Sequence, residues 1–129
     1  MEKTKVNVYL RINSNSKSEM RKQEKKAKKF CEENDMEIKY LFEDYKDGKS
    51  VETAMSYCET NDVQLLVTND LSMISEDVYY LYDCYTYLRD YYRAGLVSVK
   101  DGFKFDFDVH LVRGEEYERR QKENCSNIH

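Results

Sequence analysis

Lys5-Val6-Asn7-Val8-Tyr9-Leu10-Arg11-Ile12, then Asn13-Ser14-Asn15-Ser16, then Lys17-Ser18-Glu19-Met20, is the stretch that decides the fold. Val6, Val8, Leu10 and Ile12 recur at every second residue, the pattern of a strand with one apolar face. The four polar residues after Ile12 break that pattern. Ser16 with Glu19 three residues on has the form of a capping box, so a helix starts here. It extends to Glu33, with Met20, Ala27, Phe30 and Cys31 as a narrow apolar stripe. A strand running directly into a helix is the first half of a β-α-β unit.

The same alternation continues outward. Met36 to Glu43 reads as a second strand, and Asp44 to Gly48 as a loop. Ser50 is placed to cap a helix whose Val51, Ala54, Met55 and Cys58 fall at core spacing. Val63 to Thr68 is a short apolar run suited to a strand covered on both faces. Asn69 to Ile74 is a loop. Ser75, Glu76 and Asp77 open a third helix with a cap and negative charge at its dipole's positive end. Its stripe is Val78, Leu81, Tyr82, Tyr85 and Leu88, and Gly95 is expected to stop it. Leu96 to Val99 is a fourth strand. Lys100-Asp101-Gly102 reads as a hairpin turn into a fifth, antiparallel strand over residues 103–109. The order β-α-β-α-β-α-β-β predicts an α/β fold of three layers: a mostly parallel sheet, helices on both faces and one antiparallel edge strand.

The chain has 129 residues, 40% apolar and 36% charged, which suits one domain with a sizeable core. Residues 1–113 are expected to form that domain, and 114–129 a charged helix or tail. With no proline, four glycines and no repeat, nothing marks an internal linker. No apolar run is long enough to cross a membrane, and Met1 to Lys5 lead straight into a strand, so the cytoplasm is the expected location. Cys31, Cys58, Cys84 and Cys125 stand far apart, as do His110 and His129. That spacing argues against a metal site and for reduced thiols. Net charge is -4, uneven along the chain: residues 1–50 carry net +3 and residues 51–129 net -7. A free-standing nucleic-acid binder is usually basic throughout.

In parallel α/β sheets, ligands and chemistry gather beyond the carboxyl ends of the strands. Here those ends are Asn13-Ser14, Asp44 to Gly48 and Asn69-Asp70. All three segments resemble the catalytic domain of serine recombinases, the resolvase/invertase family. Tyr9-Leu10-Arg11-Ile12-Asn13-Ser14 is similar to the family's Tyr-x-Arg-Val-Ser-Thr opening, and Arg21-Lys22-Gln23 to its Arg-Gln region. Phe42-Glu43-Asp44 with Gly48 resembles its Asp-x-Gly-Ile-Ser-Gly loop. Leu65 to Ser72 resembles the strand ending in Asp-Arg-Leu-Ser-Arg.

The resemblance implies a resolvase-like fold and, in an active member, a serine that attacks a DNA phosphodiester. Arginines then stabilise the charge that grows on the phosphoryl oxygens. This sequence departs from the pattern at the chemistry. Asn13 matches the nucleophile, and an amide cannot make that attack. Ser14, on a continuing strand, is expected to point to the other face. The two arginines of the last motif match Asp70 and Met73. Arg11 and Gln23 are retained. The remaining cluster, Arg11, Asn13, Ser14, Gln23, Asn69 and Asp70, reads as a vestigial pocket without a cofactor.

Two other features stand out. Lys22, Lys25, Lys26 and Lys29 on the first helix are candidates for phosphate contacts, or a solvated face. Tyr79, Tyr80, Tyr87, Tyr91 and Tyr92 on the third helix are candidates for a partner interface, since tyrosine offers rigid area and a hydroxyl. The function expected from the sequence is a catalytically inactive, recombinase-like regulatory module of phage or mobile-element origin. Its expected partner is another protein, a recombinase or host factor, or a second copy, with at most weak or indirect DNA contact and no membrane. Two alternatives stay open: an active recombinase domain using Ser14, and an anti-defence protein that binds a nucleotide-like ligand or a host protein.

Overall fold

A computed structural model of the chain describes residues 3–45, 50–60, 63–104 and 107. The elements alternate as the sequence implies. β1 (Thr4–Arg11) leads to α1 (Lys17–Glu33), β2 (Met36–Asp44), α2 (Ser50–Thr60), β3 (Leu65–Thr68), α3 (Val78–Tyr87) and β4 (Gly95–Ser98). The sheet order is β2-β1-β3-β4, and every neighbouring pair is parallel.

β1 lies inside the sheet and is covered on both faces, more fully than its alternating pattern suggests. Val6, Val8 and Leu10 pack with Met20, Ala27 and Cys31 of α1. Tyr9 packs on the other face with Val51, Ala54 and Cys58 of α2 and Leu81, Cys84 and Leu88 of the α3 region. Each buried aliphatic side chain adds about 1.5–3 kcal/mol. Asn7 is fully buried on the α2 side, where its Nδ2 donates to the Ala54 carbonyl at 3.5 Å. The three layers are therefore α1, the sheet, and α2 with α3.

Local chemistry sets the element ends. The Ser16 hydroxyl accepts from the Glu19 N–H at 3.2 Å, confirming the cap of α1. Asp77, not Ser75, caps α3, its Oδ1 accepting from the Tyr79 N–H at 2.9 Å. Ser75 instead accepts from the Asp77 N–H. α3 does not continue as a regular helix to Arg93. It widens into a π turn over Leu88–Tyr92, and Arg93 at φ 54° closes it. Gly95, expected as the stop, is the first residue of β4. Leu71–Met73 forms a short 3-10 turn capped by Asp70, where a loop was expected.

The expected antiparallel strand does not begin where the alternation places it. Gly102–Lys104 is a 3-10 turn, with Gly102 at φ 66°. Phe103 stacks on Phe30 on the α1 side at 5.6 Å between ring centroids, while Phe107 stacks on Tyr85 on the α3 side at 4.7 Å. These aromatics therefore serve opposite faces of the sheet, rather than one face of an added strand. The rest of that segment, the Gly48 loop position, His110, Cys125 and the tail 114–129 lie outside the described residues.

Candidate functional site

Parallel pairing of β1 with β3 aligns their carboxyl ends, which brings Arg11, Asn13 and Ser14 beside Asn69 and Asp70. The first turns of α1 complete the enclosure from the side. Together they line an open cleft of about 1320 Å³. All six residues of the expected pocket, Arg11, Asn13, Ser14, Gln23, Asn69 and Asp70, line it.

Ser14 corrects one expectation. β1 ends at Arg11, and the chain bends at Asn13 and Ser14, so strand alternation no longer sets where Ser14 faces. Its exposed hydroxyl lies on the cleft and donates to Glu19 Oε2 at 3.3 Å. The same oxygen accepts from the Ser16 N–H at 3.3 Å.

Across the cleft, Asn69 is held firmly. Its Nδ2 donates to both the backbone oxygen and Oε1 of Gln23, each at 2.8 Å, and its backbone oxygen accepts from the Ser98 hydroxyl and the Lys100 N–H. Its Oδ1 is buried without a hydrogen-bond partner. Asp70 Oδ1 accepts from the Ser72 N–H at 3.0 Å, and Oδ2 lies 3.5 Å from Lys100 Nζ. The Ser72 backbone bond, then the Ser72 side chain and Lys100, hold the Asp70 carboxyl below its ordinary value despite partial burial. Asp70 is thus an ionised carboxylate at neutral pH, in the position where the resemblance implies a guanidinium.

The lining also holds charged groups that motif matching missed. Glu19, Glu76 and Asp77 add carboxylates, and Lys26 and Lys100 add ammonium groups. Arg11 is the single arginine among the lining residues. Glu19 was legible as a capping residue, but nothing in the sequence placed Lys100 here.

The candidate phosphate contacts separate. Lys26 lines the cleft; Lys22, Lys25 and Lys29 are exposed on α1 outside it. Lys29 lies 3.9 Å from Glu33. The candidate interface tyrosines also separate. Tyr79, Tyr87 and Tyr91 are exposed, whereas Tyr80 and Tyr92 are half-buried against the core. Tyr80 lines the cleft, and its hydroxyl is pushed up to about 12, chiefly by burial. Tyr92 meets the Tyr87 hydroxyl at 2.9 Å.

Among the described residues, no group of three or more His, Cys, Asp or Glu side chains is placed to hold a metal. None of their helices is long and apolar enough to cross a membrane.

No protein family's sequence profile matches the chain. No curated protein matches it either. Solved structures do. The N-terminal catalytic domain of TP901-1 integrase superposes with a TM-score of 0.74 at 12% identity, over 92% of this chain and 97% of that one. The C-terminal catalytic domain of ISC1926 TnpA, an IS607-like serine recombinase, gives a TM-score of 0.62 at 13% identity, over 76% of this chain and 71% of that one. The chain has the fold of serine recombinase catalytic domains.

Proposed function

We propose that this domain keeps the recombinase scaffold but not its phosphodiester chemistry, and that it works by binding another protein, as a regulatory module of a mobile element. The observation that carries this reading is the charge around Ser14. Its hydroxyl sits against the Glu19 carboxylate, in a cleft that also contains Asp70, Glu76 and Asp77. Only Arg11, Lys26 and Lys100 oppose them among the lining residues, and Lys100 already faces Asp70. A phosphodiester entering the cleft meets more carboxylates than cations. Phosphoryl transfer needs the reverse, several fixed positive groups around the phosphoryl oxygens.

One observation favours a second reading, an active recombinase domain. Ser14 lines the cleft, and Glu19 Oε2 at 3.3 Å is close to the distance at which a base can take its proton. That reading requires Arg11, Lys26 and Lys100 together to bind the phosphate.

A trapping assay separates the two. The protein is incubated with supercoiled and linear duplex DNA, quenched in detergent and examined for a covalent protein–DNA adduct. The expected result is none, unchanged in Ser14→Ala. An adduct that disappears in Ser14→Ala would establish the active reading instead. In parallel, titration against a serine recombinase is expected to form a protein–protein complex, and its absence counts against the regulatory role.

A further inference from the structure

The two outer layers of this domain carry opposite charge. α1 exposes Lys17, Arg21, Lys22, Lys25 and Lys26, none in an ion pair with another described residue. Lys22 and Lys25 lie three residues apart, on one face of the helix. On the other side of the sheet, Glu52, Glu59 and Asp83 are exposed, again without an ion pair among the described residues. Beside them stand Tyr79, Tyr87 and Tyr91 at 43%, 42% and 74% exposure. Tyr79, Asp83 and Tyr87 are spaced by four, so they share one face of α3. The Tyr91 ring lies 4.9 Å from that of Tyr87 and extends the face. Rings interleaved with carboxylates suit lysine well: the aliphatic stem packs on a ring, and the ammonium meets a carboxylate or the ring face.

We infer that the chain associates head to tail with copies of itself, the lysine face of α1 on one molecule seating on the tyrosine–carboxylate face of α3 on the next. The occupant follows from charge: each molecule carries both a surplus of unpaired cations and the anionic aromatic face that complements it. α1 and α3 cover opposite faces of the sheet, so each copy presents one face to the copy before it and the other to the copy after it. Such a heterologous contact builds an open chain or a ring. Lys22, Lys25, Asp83 and Tyr91, the residues that define the two faces, all lie outside the cleft, so the contact stands or falls independently of the proposed function.

Sedimentation equilibrium over a range of concentrations tests it. At ~0.1 M salt the average mass is expected to rise with concentration above the 15.5 kDa monomer. At ~1 M salt, where the screening length falls to ~3 Å, it is expected to return to the monomer value. Lys22→Glu with Lys25→Glu removes one face, and Asp83→Lys with Tyr91→Lys removes the other. Each double variant alone is expected to be monomeric. Mixed, they retain one compatible pair of faces and are expected to stop at a heterodimer, which also shows that both fold. A parent that stays monomeric at low salt overturns the inference. So does association that survives in both variants. A monomeric parent that binds duplex DNA through Lys22 and Lys25 also overturns it, assigning the lysine face to nucleic acid.

Discussion

The side-chain nitrogen of Asn69 donates twice to Gln23, to its backbone oxygen and to its Oε1, both at 2.8 Å, and so ties the end of β3 to the middle of α1. Since both partners are acceptors, the nitrogen must face them. Asn69→Ala deletes both bonds at a buried position and is expected to cost about 1–3 kcal/mol in urea unfolding. Asn69→Asp is expected to cost more, because it sets a carboxylate against two oxygens. Equal stability for the two variants would mean that the junction does not hold the cleft wall in place.

A second buried contact sits under α2. Tyr9 is fully buried on β1, and its hydroxyl donates to Asp44 Oδ2 at 2.8 Å at the end of β2. Tyr9→Phe keeps the ring's packing and deprives a buried carboxylate of one donor. A loss of about 1–3 kcal/mol is expected, with the unfolding slope unchanged. An unchanged denaturation midpoint would show that this bond contributes nothing net.

The thiols give a third prediction. Cys31, Cys58 and Cys84 are buried, and burial pushes each up to about 11. At pH 8 only about one thiol in a thousand is then a thiolate, and the thiolate is the species that reacts. In a Cys125→Ser variant, labelling by a disulfide reagent is expected to be negligible in the native state. It should become complete on unfolding in denaturant. Rapid native labelling of any of the three would show that α1, α2 or α3 opens readily.

These examples show what the sequence made legible. Hydrophobic period and capping chemistry placed β1, α1, β2 and the alternation of strands and helices along the chain, because Val6, Val8, Leu10 and the Ser16–Glu19 box are local signals. Motif positions found six residues of the cleft, because parallel strands bring their carboxyl ends together. What escaped was set by tertiary geometry. Ser14 faces the cleft because the chain bends beyond Arg11. Lys100 comes to 3.5 Å from Asp70 only through the pairing of β4 with β3. Phe103 and Phe107 alternate like a strand, yet they pack on opposite layers.

Asp70 makes the charge of the cleft testable by pH. Its carboxyl is held below the ordinary 3.8 first by the Ser72 backbone N–H, with smaller help from the Ser72 side chain and Lys100. In the range where the native group is ionised and the unfolded one is protonated, the unfolded chain binds more protons. Stability attributable to Asp70 therefore rises with pH. It is fully present above the unfolded value and is lost as pH falls through the lower native value. The stability difference between the parent and Asp70→Asn should shrink as pH is lowered from about 6 toward 2. Since the carboxylate is 38% exposed, the effect is screened and stays small. Lys100→Met should remove only the lesser, salt-sensitive part, leaving most of the pH dependence to the Ser72 N–H. A parent–variant difference that is flat across this range would show that Asp70 ionises alike in both states. A Lys100→Met variant that abolishes the pH dependence would assign the effect to the ion pair rather than to the backbone.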